Sequence, residues 1–146
     1  WLWQMTTRIY GTVIRKNPLR LIFGMGPGNF YQLFTDLPAE LEAERIAFLE
    51  AAWNTDSYIA NAHNEWLTML IEEGLLGFTA YLGIFAGAFA TSLRRSKKDD
   101  AAIMICAAVA GYFVNTFFSY QQISGAAVMF VLMGTGVYAR IRGQME

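Results

Sequence analysis

The residues best suited to chemistry gather in the first half of the chain. His63 is the only histidine, and it stands in "NAHNEWLTMLIEEGLLG" (61–77), where polar sequence gives way to an apolar run. An imidazole titrates near neutrality, so it can take a proton from an attacking hydroxyl at physiological pH. Asn61 or Asn64 is a suitable N-cap for a helix running through "EWLTMLIEE". That puts His63 in the first turn or just before it, beside backbone N–H groups that favour anions and disfavour the imidazolium form. Glu65 pulls the other way. Upstream, Arg8, Thr12 and Arg15 fall at i, i+4 and i+7 of "RIYGTVIRK" (8–16), one face of a short amphipathic helix ended by Asn17-Pro18. Two guanidiniums on one face can hold a pyrophosphate by forked hydrogen bonds, or can snorkel toward lipid headgroups.

Other motifs are less specific. "GMGPGNF" (24–30) is glycine-dense but lacks the G-K-[ST] ending of a phosphate loop, and no strand–turn–helix pattern surrounds it. Its spacing supports a tight turn that brings backbone close to something. There is no D-x-D and no second histidine, and Cys106 is a lone cysteine inside an apolar run. No metal, cofactor, disulfide framework or nucleic-acid partner is expected.

The elements that must position these residues follow from composition. The 146 residues are 55% hydrophobic and 16% charged, against about a quarter charged in soluble domains, which points to a membrane protein. Gly74 to Leu93 is twenty residues without a charge, enough to cross a hydrocarbon core about 30 Å thick. Ala101 to Ala139 is also uncharged but would be roughly 58 Å long as one helix, so the polar "SYQQ" (119–122) divides it in two. The expected fold is all-α and integral to the membrane, with spans at about 74–93, 101–119 and 123–139, preceded by a 1–73 segment of short amphipathic helices and loops. The chain opens on Trp-Leu-Trp without methionine and is expected to be part of a larger polytopic bundle.

Sidedness follows from charge. "RRSKK" (94–98) and Arg140 with Arg142 belong on the cytoplasmic side by the positive-inside rule, which puts residues 8–73 and His63 outside. Arg8, Arg15, Lys16 and Arg20 are then outer-face cations, and binding phosphate is a reason to keep them there. "PAELEAERIAFLEAAW" (38–53) reads as a solvated helix with Leu41, Phe48, Leu49 and Ala52 as its apolar stripe, and "NTDSYIANA" (54–62) as a loop. Within the spans, Gly83-x-x-x-Gly87 predicts close helix packing and Asn115 an interhelical hydrogen bond.

Taken together, "PLRLIFGMGPGNF" (18–30), a variable outer loop and "AHNEWLTMLIEEGLLG" (62–77) resemble the C-terminal half of the O-antigen ligase family, which includes O-antigen polymerases and bacterial O-oligosaccharyltransferases. His63, Asn64, Leu67, Leu70, Glu72, Gly74 and Gly77 match its H-N-x-x-L-x-x-L-x-E-x-G-x-x-G pattern, and a span, a basic inner loop and a closing hairpin follow as in the family. The resemblance implies a metal-independent glycosyltransferase of the bacterial inner membrane, with its site on the periplasmic face. Such an enzyme passes a glycan from an undecaprenyl-pyrophosphate carrier to lipid A-core, a growing polysaccharide or a protein hydroxyl. It implies His63 as the catalytic residue, and Arg8, Arg15, Arg20, Asn64, Glu72, Gly24 and Gly26 as substrate-binding positions. Arg8 stands about where the family has a pyrophosphate-binding arginine, although the tryptophan that usually follows is Tyr10 here. Other members also use an arginine from an earlier outer loop, which lies outside this chain. Ligase, polymerase and protein glycosylation differ only in acceptor and are not separated by these residues. A transporter would place ionisable groups inside the spans, and a structural bundle would need neither His63 nor the arginine face.

Overall fold

The computed structural model describes residues 2–35, 37–52, 61–97, 99–119 and 123–142, and among these every regular element is helical. In chain order they are α1 (Leu2–Lys16), α2 (Leu19–Phe23), a 3-10 helix (Phe30–Phe34), α3 (Ala39–Ala52), α4 (Glu65–Arg95), α5 (Asp100–Asn115) and α6 (Ile123–Arg142). The chain divides into two compact units, Trp1–Phe78 and Thr79–Glu146, with α4 contributing to both.

In the first unit, α1 begins well before Arg8 because the apolar face continues upstream: Met5, Thr6, Ile9 and Tyr10, at i and i+4 pairs, are all buried. They pack with Phe30, Leu33 and Phe34 of the 3-10 helix, Leu41 of α3, Ala62 just before α4, and Ile71 within its first stretch. Ile9, Phe30, Leu33 and Ile71 are fully enclosed, and burying a side chain of that size contributes about 1.5–3 kcal/mol. Pro38 directly precedes α3, its carbonyl accepting from Leu41 and Glu42 amides, the role of an N-terminal proline that has no amide of its own to satisfy. Of the expected α3 stripe, Leu41 is buried; Phe48, Leu49 and Ala52 lie outside the described side chains, as does the loop at 53–60.

The feature that organises this unit is a contact between two glycines. Gly24 (φ +72) and Gly74 (φ +65) both take the left-handed backbone region. A Cβ on Gly24 would stand 2.1 Å from the Glu72 carbonyl oxygen and 2.5 Å from the Gly74 amide nitrogen. A Cβ on Gly74 would stand 2.3 Å from the Ile22 carbonyl oxygen and 2.4 Å from the Gly24 amide nitrogen. Neither position has room for any side chain. The helical path of α4 breaks at Gly74, which frees carbonyls on the preceding turn, and the glycine loop supplies donors: Met25 N–H to Ile71 O at 2.8 Å and Gly26 N–H to Glu72 O at 2.8 Å.

In the second unit Phe85 is the hub. It stacks on Tyr112 with ring centroids 5.9 Å apart and meets Tyr81 and Phe113 edge-on at 5.1 and 6.2 Å, the tilted and offset geometries aromatic quadrupoles prefer. α4 alone among the described helices is long and apolar enough to cross a membrane; α5 and the Gly125–Gly136 stretch of α6 are shorter apolar helices. Two expectations are corrected here. Gly83 and Gly87 face open space rather than a closely packed helix. Asn115 makes no interhelical bond to a described residue: its amide donates to Ser119 Oγ at 3.0 Å, and Ser119 Oγ donates back to the Asn115 carbonyl at 3.1 Å. That local exchange ends α5 at Asn115, before the polar break at 119–122, because asparagine and serine offer the backbone an alternative to the helical ladder.

Gly24→Ala and Gly74→Ala are each expected to destabilise the first unit by about 3–4 kcal/mol, because the added methyl meets backbone that cannot yield. Gly83→Ala, facing open space within a helix, is expected to be neutral or slightly stabilising. Thermal unfolding of the three variants in detergent checks the contrast.

Candidate functional site

His63 sits in a turn built to present it. Asn64 Oδ1 accepts from the Leu67 amide at 2.9 Å, the side-chain cap expected at a helix start. Thr68 Oγ1 donates to the Asn64 carbonyl at 3.0 Å and accepts from the Ala62 amide at 3.2 Å, tying the segment before the helix to its first turn. Asn61 Oδ1 accepts from the His63 amide at 2.9 Å. Ala62, Asn64, Glu65 and Trp66 are buried around it, while His63 itself is exposed and takes φ +49. Among the described residues His63 is the one non-glycine with positive φ, a conformation that costs about 1–2 kcal/mol. Both asparagines therefore act, one capping the helix and one holding the His63 amide. Glu65 is only 2% exposed in the first turn of α4, where the helix dipole favours a carboxylate.

The other positions fall into separate groups. Gly24, Gly26, Arg20 and Glu72 come together in the glycine clasp. The Glu72 carboxylate does not point outward: its Oε1 accepts from the Phe30 amide at 3.0 Å, holding the start of the 3-10 helix against α4. Arg20 donates to the Gly24 carbonyl at 3.4 Å. Tyr10, which sequence reasoning noted only as a replacement for tryptophan, completes the group. Its hydroxyl lies 2.9 Å from the Arg20 carbonyl and 3.2 Å from the Leu70 carbonyl, where its one proton is shared. Burial pushes the Tyr10 phenol above its ordinary value, with the nearby Arg20 guanidinium partly offsetting that. Every clasp partner is thus backbone or bonded to backbone.

Arg8 is not in that group. Its guanidinium pairs with Glu44 of α3, and both side chains remain well exposed, so the pair is readily exchanged for another anion. Arg8, Glu44, Gln4, Met5 and Ala47 line a cavity of about 280 Å³. No residue spacing along the sequence links Glu44 to Arg8, since they stand on different helices. Arg15 is exposed on α1 and makes no hydrogen bond or ion pair with a described residue. Among the described residues no group of three or more histidine, cysteine or acidic side chains is placed to hold a metal ion.

No family model matches the chain, and no curated protein and no solved structure matches it.

Removing the clasp's polar partners is expected to cost stability. Tyr10→Phe and Glu72→Ala should each lose about 1–2 kcal/mol, and Glu72→Gln, which keeps an oxygen for the Phe30 amide, less. The raised Tyr10 value fixes the sign of a pH effect. The folded state keeps the phenolic proton longer than the unfolded state, so this contribution is complete below pH 10.0 and is lost as pH rises through the folded value. Alkaline titration of the melting temperature should therefore show a steeper fall in wild type than in Tyr10→Phe.

Proposed function

We propose that the chain belongs to a multi-pass membrane glycosyltransferase resembling the O-antigen ligases, with residues 8–73 on the outer face of a bacterial inner membrane. In this reading α4 is the first span, α5 and α6 are the shorter second and third, and the donor is a glycan on undecaprenyl pyrophosphate. The observation that carries it is the His63 turn: an exposed imidazole on a left-handed backbone, secured on both sides by asparagine and threonine hydrogen bonds. Strain that the surroundings hold in place is a mark of functional positions. The exposed, exchangeable Arg8 and the exposed Arg15, which pairs with no described residue, support an anion site on α1.

The chemistry is a displacement at the anomeric carbon. An acceptor oxygen forms its bond to that carbon as the bond to the pyrophosphate oxygen breaks, and the acceptor proton passes to the His63 imidazole. The leaving pyrophosphate keeps the electron pair and is stabilised by guanidinium groups, with Arg8 exchanging Glu44 for a phosphate oxygen. The acceptor is lipid A-core, a polysaccharide or a protein hydroxyl.

A second reading has its own support: Gly24, Gly26, Asn64 and Glu72 all serve backbone, so this part of the motif is accounted for by folding alone, as in a structural bundle. Glycan transfer separates the two. With the intact membrane-embedded protein, an undecaprenyl-pyrophosphate-linked glycan and candidate acceptors, His63→Ala is expected to lower transfer roughly 10²–10⁴-fold at unchanged insertion. Transfer equal to wild type would leave the structural reading.

A further inference from the structure

A cavity lies in the second unit, where α4 ends and α5 begins. It measures about 240 Å³ and is lined by Ser92 and Arg95 of α4, Asp99, Ala101, Ala102 and Ile105 from the start of α5, and Thr135 and Gly136 of α6. We propose that this cavity binds a phosphate-bearing anion, the headgroup of an acidic phospholipid of the inner leaflet being the source expected if the membrane reading above holds.

Four features point to an anion. Arg95 is the cationic wall, and it is held in place: its Nη2 donates to Asp99 Oδ2 at 3.0 Å, with both side chains about one-third exposed. Asp99 is in turn committed, its Oδ1 accepting from the Ala101 amide at 3.0 Å as the N-cap of α5. The carboxylate thus orients the guanidinium while using only part of its five donors. Second, the first turn of α5 lines the cavity through Ala101 and Ala102; their amides are taken by Asp99, whose Oδ1 and carbonyl accept from them at 3.0 and 3.1 Å, so this sixteen-residue helix contributes only the positive end of its dipole. Third, Ser92 is 3% exposed and lines the cavity, and its hydroxyl makes no hydrogen bond with a described residue, leaving a buried donor available to a ligand oxygen. Fourth, the wall opposite carries no side chain, because it is Gly136. The segment that contributes Arg95 and Asp99, "RRSKKDD" (94–100), has four basic and two acidic residues in sequence, an excess that favours anions near it. A cavity of about 240 Å³ has room for a phosphate group.

The test uses the intact protein reconstituted in vesicles of phosphatidylcholine with a minor fraction of phosphatidylglycerol, then extracted and weighed by native mass spectrometry with its retained lipid. Wild type is expected to retain phosphatidylglycerol over phosphatidylcholine. Arg95→Gln should lower that retention about fivefold or more, the effect of one interfacial cation. Gly136→Ala gives a variant that keeps the fold: its Cβ would meet Ser92 Oγ and Ile105 Cγ2 at 3.5 Å, ordinary contact distances, while occupying the cavity wall. It should lower retention with no change in melting temperature. A parallel arm adds inorganic phosphate; displacement of phosphatidylglycerol by phosphate, or a phosphate-induced rise in melting temperature that Gly136→Ala abolishes, assigns the site to a free phosphate source instead. Retention that is equal for both lipids with no response to phosphate, or that survives both variants, overturns the proposal. Carbonate extraction of the membranes decides the membrane reading separately, and the phosphate arm stands without it.

Discussion

Everything described in the first unit depends on two backbones meeting with nothing between them. Gly24 and Gly74 are fifty residues apart in sequence, yet an added Cβ on either would lie within 2.5 Å of the other's amide nitrogen. Only glycine tolerates both the left-handed φ and the approach. The contact solves a hydrogen-bonding problem as well as a steric one. Breaking α4 at Gly74 frees carbonyls at Leu70, Ile71 and Glu72, and these accept from Tyr10, Met25 and Gly26 respectively. A helix end in the interior of a chain needs such partners; here α1 and the glycine loop provide them.

The consequence for the candidate chemistry is positional. The stretch Glu65–Glu73 is fixed at its far end by the clasp and at its near end by the Asn64 cap, and His63 stands immediately outside that cap. Glu72 joins the clasp to the 3-10 helix through the Phe30 amide, and Phe30 is buried in the same core as Ile9 and Tyr10 of α1, the helix that carries Arg8 and Arg15. The imidazole and the guanidiniums are therefore carried by elements that share one core, although they belong to different groups within it. Motif residues divide accordingly: the glycines, Asn64 and Glu72 build the frame, and His63 with Arg8 and Arg15 are exposed on it.

Much of this was legible locally and little of it at long range. The helix over 65–73, its asparagine cap and the placement of His63 just before the first turn all follow from short-range rules, because capping is decided within four residues. The proline before α3 and the Asn-Pro end of α1 are equally local. The glycine loop could be read as a close backbone approach, but its partner could not, since nothing within 24–30 names Gly74. The Glu44 partner of Arg8 and the double use of the Tyr10 hydroxyl are contacts of the same long-range kind. Asn115 went the other way: a polar residue in an apolar run suggested a distant partner, and a serine four residues on supplied a nearer one.

The frame around His63 requires the clasp to be a formed, persistent structure in the intact protein. Hydrogen exchange at the Met25 and Gly26 amides measures it directly, because both lie in a glycine-rich loop that has no other reason to be protected. If the clasp is as described, these two amides exchange as slowly as those of the neighbouring Glu65–Glu73 stretch, and Gly74→Ala exposes them together. If they exchange at open-loop rates while that stretch stays protected, the loop does not close on α4, and the frame proposed to hold His63 is absent.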